Sequence, residues 1–416
     1  MGLSSGTFTR PNDFTTDASL GIDPTATKFD QEFDDIKDAL DIAIYADGQQ
    51  TITADIPWNG KKITGLGTAT AGTDALNRDT ADARYLLKAQ LAAGLPVNAS
   101  ITASVGASAL TIALKGADGN DPSSTNTVLL PFRSATAGTG SLTVRSVTAA
   151  TSLVISSGST LGTTNSISFR IWVVAFDDAG TVRLAAHNSY KSGNLDIKRI
   201  YSNQLASSTA EGGAGAADSA HVFYTGTAVT TKPYVVLGYL EWDGGLATAG
   251  TWSGDATLKV NYGPSVPLPG HLIYRKWNTT TGSGTTVMPL DGTTVQNTEG
   301  VQICTLSITP TSKANLLVVQ LTGAVSNSNT EAHIGLGLFQ DSTANALSTT
   351  VSSRDAAADK CAMFAHRYAM LAGTTSSTTF NYRAGCNGAG TTTAGTTLLG
   401  GSSIGAGWMS VEEWMT

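Results

Sequence analysis

Charge is scarce in this chain. Only 14% of its 416 residues are Asp, Glu, Lys or Arg, and the balance is acidic, at −7. Nucleic-acid binding needs a clustered basic face, so it is not expected. An acidic chain also gains nothing from an anionic membrane surface. Long apolar runs are missing: no window approaches the roughly 20 residues of a membrane-spanning helix, so no membrane insertion is expected. Met1 to Arg10 hold no apolar stretch, which argues against a signal peptide and for synthesis in a cytoplasm. The three cysteines, Cys304, Cys361 and Cys386, cannot close a disulfide framework. Their spacings fit no zinc motif, and buried reduced thiols are the expectation. No Gly-rich phosphate loop is present, and no two of the five histidines lie close enough to make a metal pair. The expected cofactor content is none.

What the chain has in quantity is Gly, 45 residues, together with Thr, Ser and Ala. That bias disfavours long helices and favours many short strands joined by turns. The expected fold is mainly β: a short N-terminal helical stalk followed by two antiparallel sandwich-like domains. Residues 1–24 read as an extended arm. A helix is expected from about Thr27, with Asp30 in capping-box position. Phe29, Phe33, Ile36, Leu40 and Ala43 recur at spacings of four, three, four and three, the a/d seam of a coiled coil. Asp34, Asp35, Asp38 and Asp41 crowd the other face, and Asp47-Gly48 closes the helix. These five seam residues are the candidate self-association contacts. A second helix is expected over 74–91, with Thr73 as N-cap and Gly94 and Pro96 beyond its end.

From residue 98 the pattern changes. Ile167 to Val173 alternates, Val235 to Leu240 is nearly all apolar, and turn residues fall between them, as in an antiparallel β domain. Gly263 to Gly270 carries Pro264, Pro267 and Pro269, which cannot sit inside a sheet and mark a joint. Beyond it, Val301 to Ile308, Leu316 to Leu321, Ile334 to Phe339, Phe380 to Arg383 and Trp408 to Val411 read as strands. The expected division is 1–97, 98–266 and 267–416.

Signals for chemistry are thin. Gly401-Ser402-Ser403-Ile404-Gly405 matches the nucleophile-elbow pattern in letters. That elbow needs a helix after it and a later His, and no His follows His366. Asp118-Gly119-Asn120-Asp121 resembles half a calcium loop but lacks the downstream bidentate Glu, so a tight turn is expected. Adjacent acids at Asp177-Asp178 and Glu412-Glu413 fall at turn or strand-end positions. No strand-length repeat of the kind a parallel β-helix needs is visible. The expectation is a protein that is not an enzyme.

Three phrases carry a family resemblance. Residues 52–82 read ITADIPWNGKKITGLGTATAGTDALNRDTAD, which resembles the repeat that opens the shaft of bacteriophage tail fibres, "nGkkItnL…DAvnk". Trp58 and Arg78 depart from that pattern. Val147 to Thr163 resembles β modules from the middle of such fibres. Ile308 to Val319, with the Val411-Glu412-Glu413 ending, resembles their jelly-roll-like heads, related in shape to tumour-necrosis-factor-like trimers. The resemblance implies a homotrimer in the virion tail, made in the host cytoplasm and released by lysis. Its N-terminus would hold other virion proteins, and its 267–416 head would touch a bacterial receptor, polysaccharide or protein. Candidate contact loops lie at 327–331, 341–354 and 385–395, with Asn327, Asn329, Asp341, Arg354 and Asn387 as candidate residues. Two other readings stand beside it: a polysaccharide-cleaving tailspike, which would use paired carboxylates, and a head fibre or decoration protein with no receptor.

Overall fold

The computed structural model describes residues 3–4, 7–8, 12–41, 94–133, 141–216, 218–330, 332–356, 360–395 and 407–416. The 52–82 phrase, the expected 74–91 helix, Ala43 and the 401–405 match lie outside them. The chain divides into two compact units, Met1–Thr80 and Ala81–Thr416.

In the first unit, helix α1 spans Phe14–Ser19 and helix α2 spans Ala26–Asp41. The expectation of an extended arm up to residue 24 is corrected by α1. Asp13 starts it, accepting hydrogen bonds from the amides of Thr15 and Thr16 at 3.1 Å each. Thr25 plays the same part for α2, its Oγ1 accepting from the Lys28 amide. Phe14 of α1 stacks on Phe29 of α2 with ring centroids 5.1 Å apart.

The second unit is β throughout its named elements, save one 3-10 turn. Its main strands, in chain order, begin with β1 (Ser100–Gly106), β2 (Ala109–Lys115), β3 (Val128–Arg133), β4 (Leu142–Val147) and β5 (Thr151–Ile155). Next come β6 (Phe169–Asp178), β7 (Thr181–His187), β8 (Phe223–Thr225), β9 (Lys232–Trp242) and β10 (Leu258–Asn261). A three-stranded sheet β1-β2-β5 and a hairpin β3-β4 contribute to one core, and β6, β7, β8, β9 and β10 belong to a seven-stranded sheet. Strands β6 and β9 are buried almost end to end because both of their faces are covered. Phe169, Ile171, Val173 and Ala175 enter the core shared with β1, β2 and β5, while Trp172, Val174 and Phe176 enter a second core behind. That explains why their sequences read as continuous apolar runs rather than alternating ones.

Residues 271–416 supply β11 (Leu272–Thr279), β12 (Thr281–Gly284), β13 (Val301–Ile308), β14 (Leu316–Asn327) and β15 (His333–Gln340). They continue with β16 (Ser348–Ser353), β17 (Cys361–Leu371), β18 (Thr378–Gly385), β19 (Thr392–Gly395) and β20 (Trp408–Trp414). One sheet runs β11-β20-β14-β19-β12 with β17 also paired to β14, and the other runs β13-β18-β15-β16. Ile303, Leu317, Leu321, Leu336, Phe380, Tyr382 and Met409 form the core between them.

The Pro-rich joint is packed at its end, where Leu268, Pro269 and Gly270 are buried, while Pro264 and Ser265 are exposed. Leu268 is buried with Trp172, Tyr234 and Met415 in one cluster. Tyr190 packs with Leu316 and Val318 in another. Arg170 on β6 pairs with Glu241 on β9, both 2% exposed, and reaches across to Asn315 Oδ1 and the Thr416 carbonyl at 3.2 and 3.1 Å. Cys304 and Cys386 are buried, as expected of reduced thiols, but Cys361 is exposed because it stands where β17 turns its side chain outward.

Candidate functional site

Two surface features of residues 271–416 stand out. The first is a loop platform at one end of the two sheets. Chain reversals after β14, β16 and β18 meet there. Arg354 leaves β16 and is buried beneath them. Its Nη1 donates to the carbonyls of Asn327 and Lys360 at 3.0 Å each, and its Nη2 donates to the Asn329 carbonyl. Asn327 is buried too. It donates from Nδ2 to Thr392 Oγ1 at 2.7 Å and accepts the Asn329 amide at 2.8 Å. Asn329 Nδ2 then donates to the Ala389 carbonyl, and the Thr391 amide donates to Ser328 Oγ. One planar guanidinium thus fixes carbonyls from separate loops, a geometry that suits five donors in a rigid fork. Asn387 is exposed in the third loop, its Oδ1 accepting the Leu290 amide.

Four of the five candidate contact residues therefore come together, two as buried anchors and two nearer the surface. Asp341 does not join them. It sits at the far end of β15 with a left-handed backbone, φ 51°, and accepts from Thr378 Oγ1 and the Thr379 amide. Asn and Asp tolerate that backbone region and bond their neighbours, so a turn is what Asp341 makes.

The second feature escaped the sequence. Directly opposed residues on antiparallel strands point to the same side. Thr279, Trp408, Thr322 and Ala365 align across β11, β20, β14 and β17; so do Trp277, Ser410, Gln320 and Arg367. This is the side away from the core. Trp277 is 68% exposed, Trp408 40% and Met363 66%. A shallow groove of about 430 Å³ lies among Arg275, Trp277, Thr279, Gly407, Trp408 and Ser410. Arg275 Nε donates to Glu412 Oε1 at 2.8 Å, and Ser410 Oγ is buried with no hydrogen-bond partner. The one sequence signal was Trp277 set between Lys276 and Asn278 on a strand, a large ring where a solvated edge favours small or charged residues.

Of the seam on α2, Phe29, Phe33 and Ile36 are exposed in the single chain at 45%, 66% and 41%. Leu40 lies on the same helix.

The adjacent acids have structural partners. Arg145 holds Asp177, Arg183 and Lys232 hold Asp178, and Arg275 holds Glu412. Glu413 accepts from the Thr311 amide and Asn315 Nδ2, both at 2.7 Å. Asp118 closes its own turn by accepting from Asn120 and Asn126, which lowers its pKa. Among the described residues no three His, Cys, Asp or Glu side chains converge as metal ligands.

No protein-family model matches the chain, and no curated protein matches it. Among solved structures it is similar to infectious bursal disease virus of the Gx strain, at 10% identity over 76% of this chain and 73% of that one, TM-score 0.23. The VP2 subviral particle of the same virus is similar at 10% identity over 80% and 82%, TM-score 0.21. The exo-β-1,3-galactanase of Phanerochaete chrysosporium is similar at 8% identity over 76% and 82%, TM-score 0.16. Scores this low carry no argument about fold or function.

Proposed function

We propose that this chain is a fibre-type structural component of a bacteriophage virion that attaches to the host cell surface by multivalent, non-catalytic binding. In this reading three copies associate, residues 1–97 join other virion proteins, and residues 267–416 meet a polysaccharide or protein receptor. The resemblance at 52–82 supports the polarity, and the two-sheet order of residues 271–416 supports a jelly-roll-like head. The observation that carries the reading is the loop platform over Arg354. Arg354 ties the backbone at Asn327, Asn329 and Lys360 together within the chain itself, and contacts held in place beforehand cost less conformational entropy on binding. Three such platforms on one particle would turn weak single contacts into high avidity.

Competition for adsorption tests the reading. Full-length protein added to host cells ahead of phage should block adsorption, and Arg354→Met should weaken that block several-fold. Protein that neither binds cells nor blocks phage, while antibody labelling places it on the capsid, would replace attachment by a decoration role. New reducing ends after incubation with host polysaccharide would replace it by depolymerisation.

A further inference from the structure

The open side of the β11-β20-β14-β17 sheet is chemically unlike a solvated surface. At one end it is already covered: Leu316, Val318, Ala369, Leu371 and Trp414 pack under Tyr190 and Ile197. Further along the same strands no described residue covers it, and large apolar side chains persist there beside Gln320, Ser410 and Arg367. Trp277, Trp408, Met363, Ala365, Thr279 and Thr322 face outward. The charges there are few. Arg275 is held by Glu412, which is 3% exposed, and Arg367 is the other cation on this side. Trp, Met and Arg enriched and Lys, Glu and Asp depleted is the composition of an interface core between protein chains.

Shape decides the class of occupant. Small ligands favour concave pockets that enclose most of their surface. Here the exposed groups spread over four strands, about 15 Å across the sheet at normal strand spacing. A standard interface buries ~800 Å² per partner, which a face four strands wide can supply. A flat, weakly charged, aromatic face of that size suits a second flat face of the same kind, as homo-oligomers use.

We propose that this open sheet face is where further copies of the chain pack, a self-association surface separate from the α2 seam. The inference rests on the oligomeric part of the proposed function and names its surface. Ser410 Oγ, buried and unpaired in the single chain, lies in the groove that a neighbouring copy would close.

The test uses full-length protein. Light scattering gives the mass, and peroxide oxidation read by mass spectrometry reports the exposure of Met363. The expected result is a multiple of the chain mass, with Met363 oxidised about tenfold more slowly than in the urea-unfolded chain. Trp277→Lys combined with Met363→Lys should lower the mass while leaving the circular dichroism spectrum unchanged. If that variant does not fold, the wild-type oxidation rate still decides. A multiple mass with Met363 oxidised at the unfolded rate overturns the inference alone and leaves association to α2. A single-chain mass overturns both the inference and the oligomeric reading. Protection of Met363 gained only on adding host polysaccharide would assign the face to a sugar and also overturn it.

Discussion

His187 shows how one buried side chain can set a pH limit. It is fully buried, stacks on Phe223 at 4.3 Å between centroids, and neither ring nitrogen has a well-aligned hydrogen-bond partner. Burial pushes its pKa down to about 3, with Lys198 and His221 adding repulsion. A folded pKa below the unfolded one means that the unfolded chain takes up the proton first. The stabilising contribution is therefore complete above the unfolded pKa near 6.5 and is lost as pH falls toward 3. Urea unfolding between about pH 6 and pH 4 should show stability falling by up to about 1.4 kcal/mol per pH unit from this group. His187→Phe should flatten that slope, and an unchanged slope would clear His187 of the role. Arg170 makes the opposite case, a charge buried with its partner. Arg170→Met leaves Glu241 unpaired and should cost about 3–5 kcal/mol, whereas Arg170→Met with Glu241→Leu should recover much of it. A double-mutant cycle with no coupling would refute that account.

Strand β9 carries the clearest lesson among the elements. Val235 and Leu237 face the first core, yet Leu240 and Trp242 face it too, so the parity of the strand changes midway. A bulge between Val236 and Gly238 inserts the extra residue against β6. Gly238 is required there, because a Cβ would stand 2.1 Å from the Val260 carbonyl oxygen. Gly238→Ala should cost at least about 2 kcal/mol and lower the urea midpoint, with β9 and β10 losing amide protection first. Undiminished protection would place the strain elsewhere. The strand itself was plain in the sequence as an apolar run, but the bulge was not. Gly inside a strand pattern permits a bulge without saying where the partner chain lies.

The whole second unit ties its early and late residues together. Trp172 Nε1 and Arg170 both donate to the Thr416 carbonyl, and Met415 is buried beside Trp172 and Tyr234. Residues 94–416 should accordingly melt in one calorimetric transition whose van't Hoff and calorimetric enthalpies agree. Two separated transitions would show that residues on either side of the Pro-rich joint fold independently.

The sequence by itself determined the β character, the positions of β6, β9, β13, β14, β15, β18 and β20 and the approximate start of α2, but not β1 to β5 or β17. Those features rest on periodicity and turn residues, which act within a few positions of each other. It placed β13 at Val301 to Ile308, with the bounds the structure gives. It also picked the turns of Asn327, Asn329 and Asn387, because polar residues between strands mark turns, but it read 341–354 as one loop where Ser348–Ser353 forms β16. Tertiary structure alone decided that Asn327 and Arg354 are buried braces and that Asp341 belongs to the opposite end. It alone revealed the Trp277 and Trp408 face. A strand's alternation separates its two sides without saying which one is covered. Only packing against strands more than a hundred residues away, such as β11 on β20, settles that.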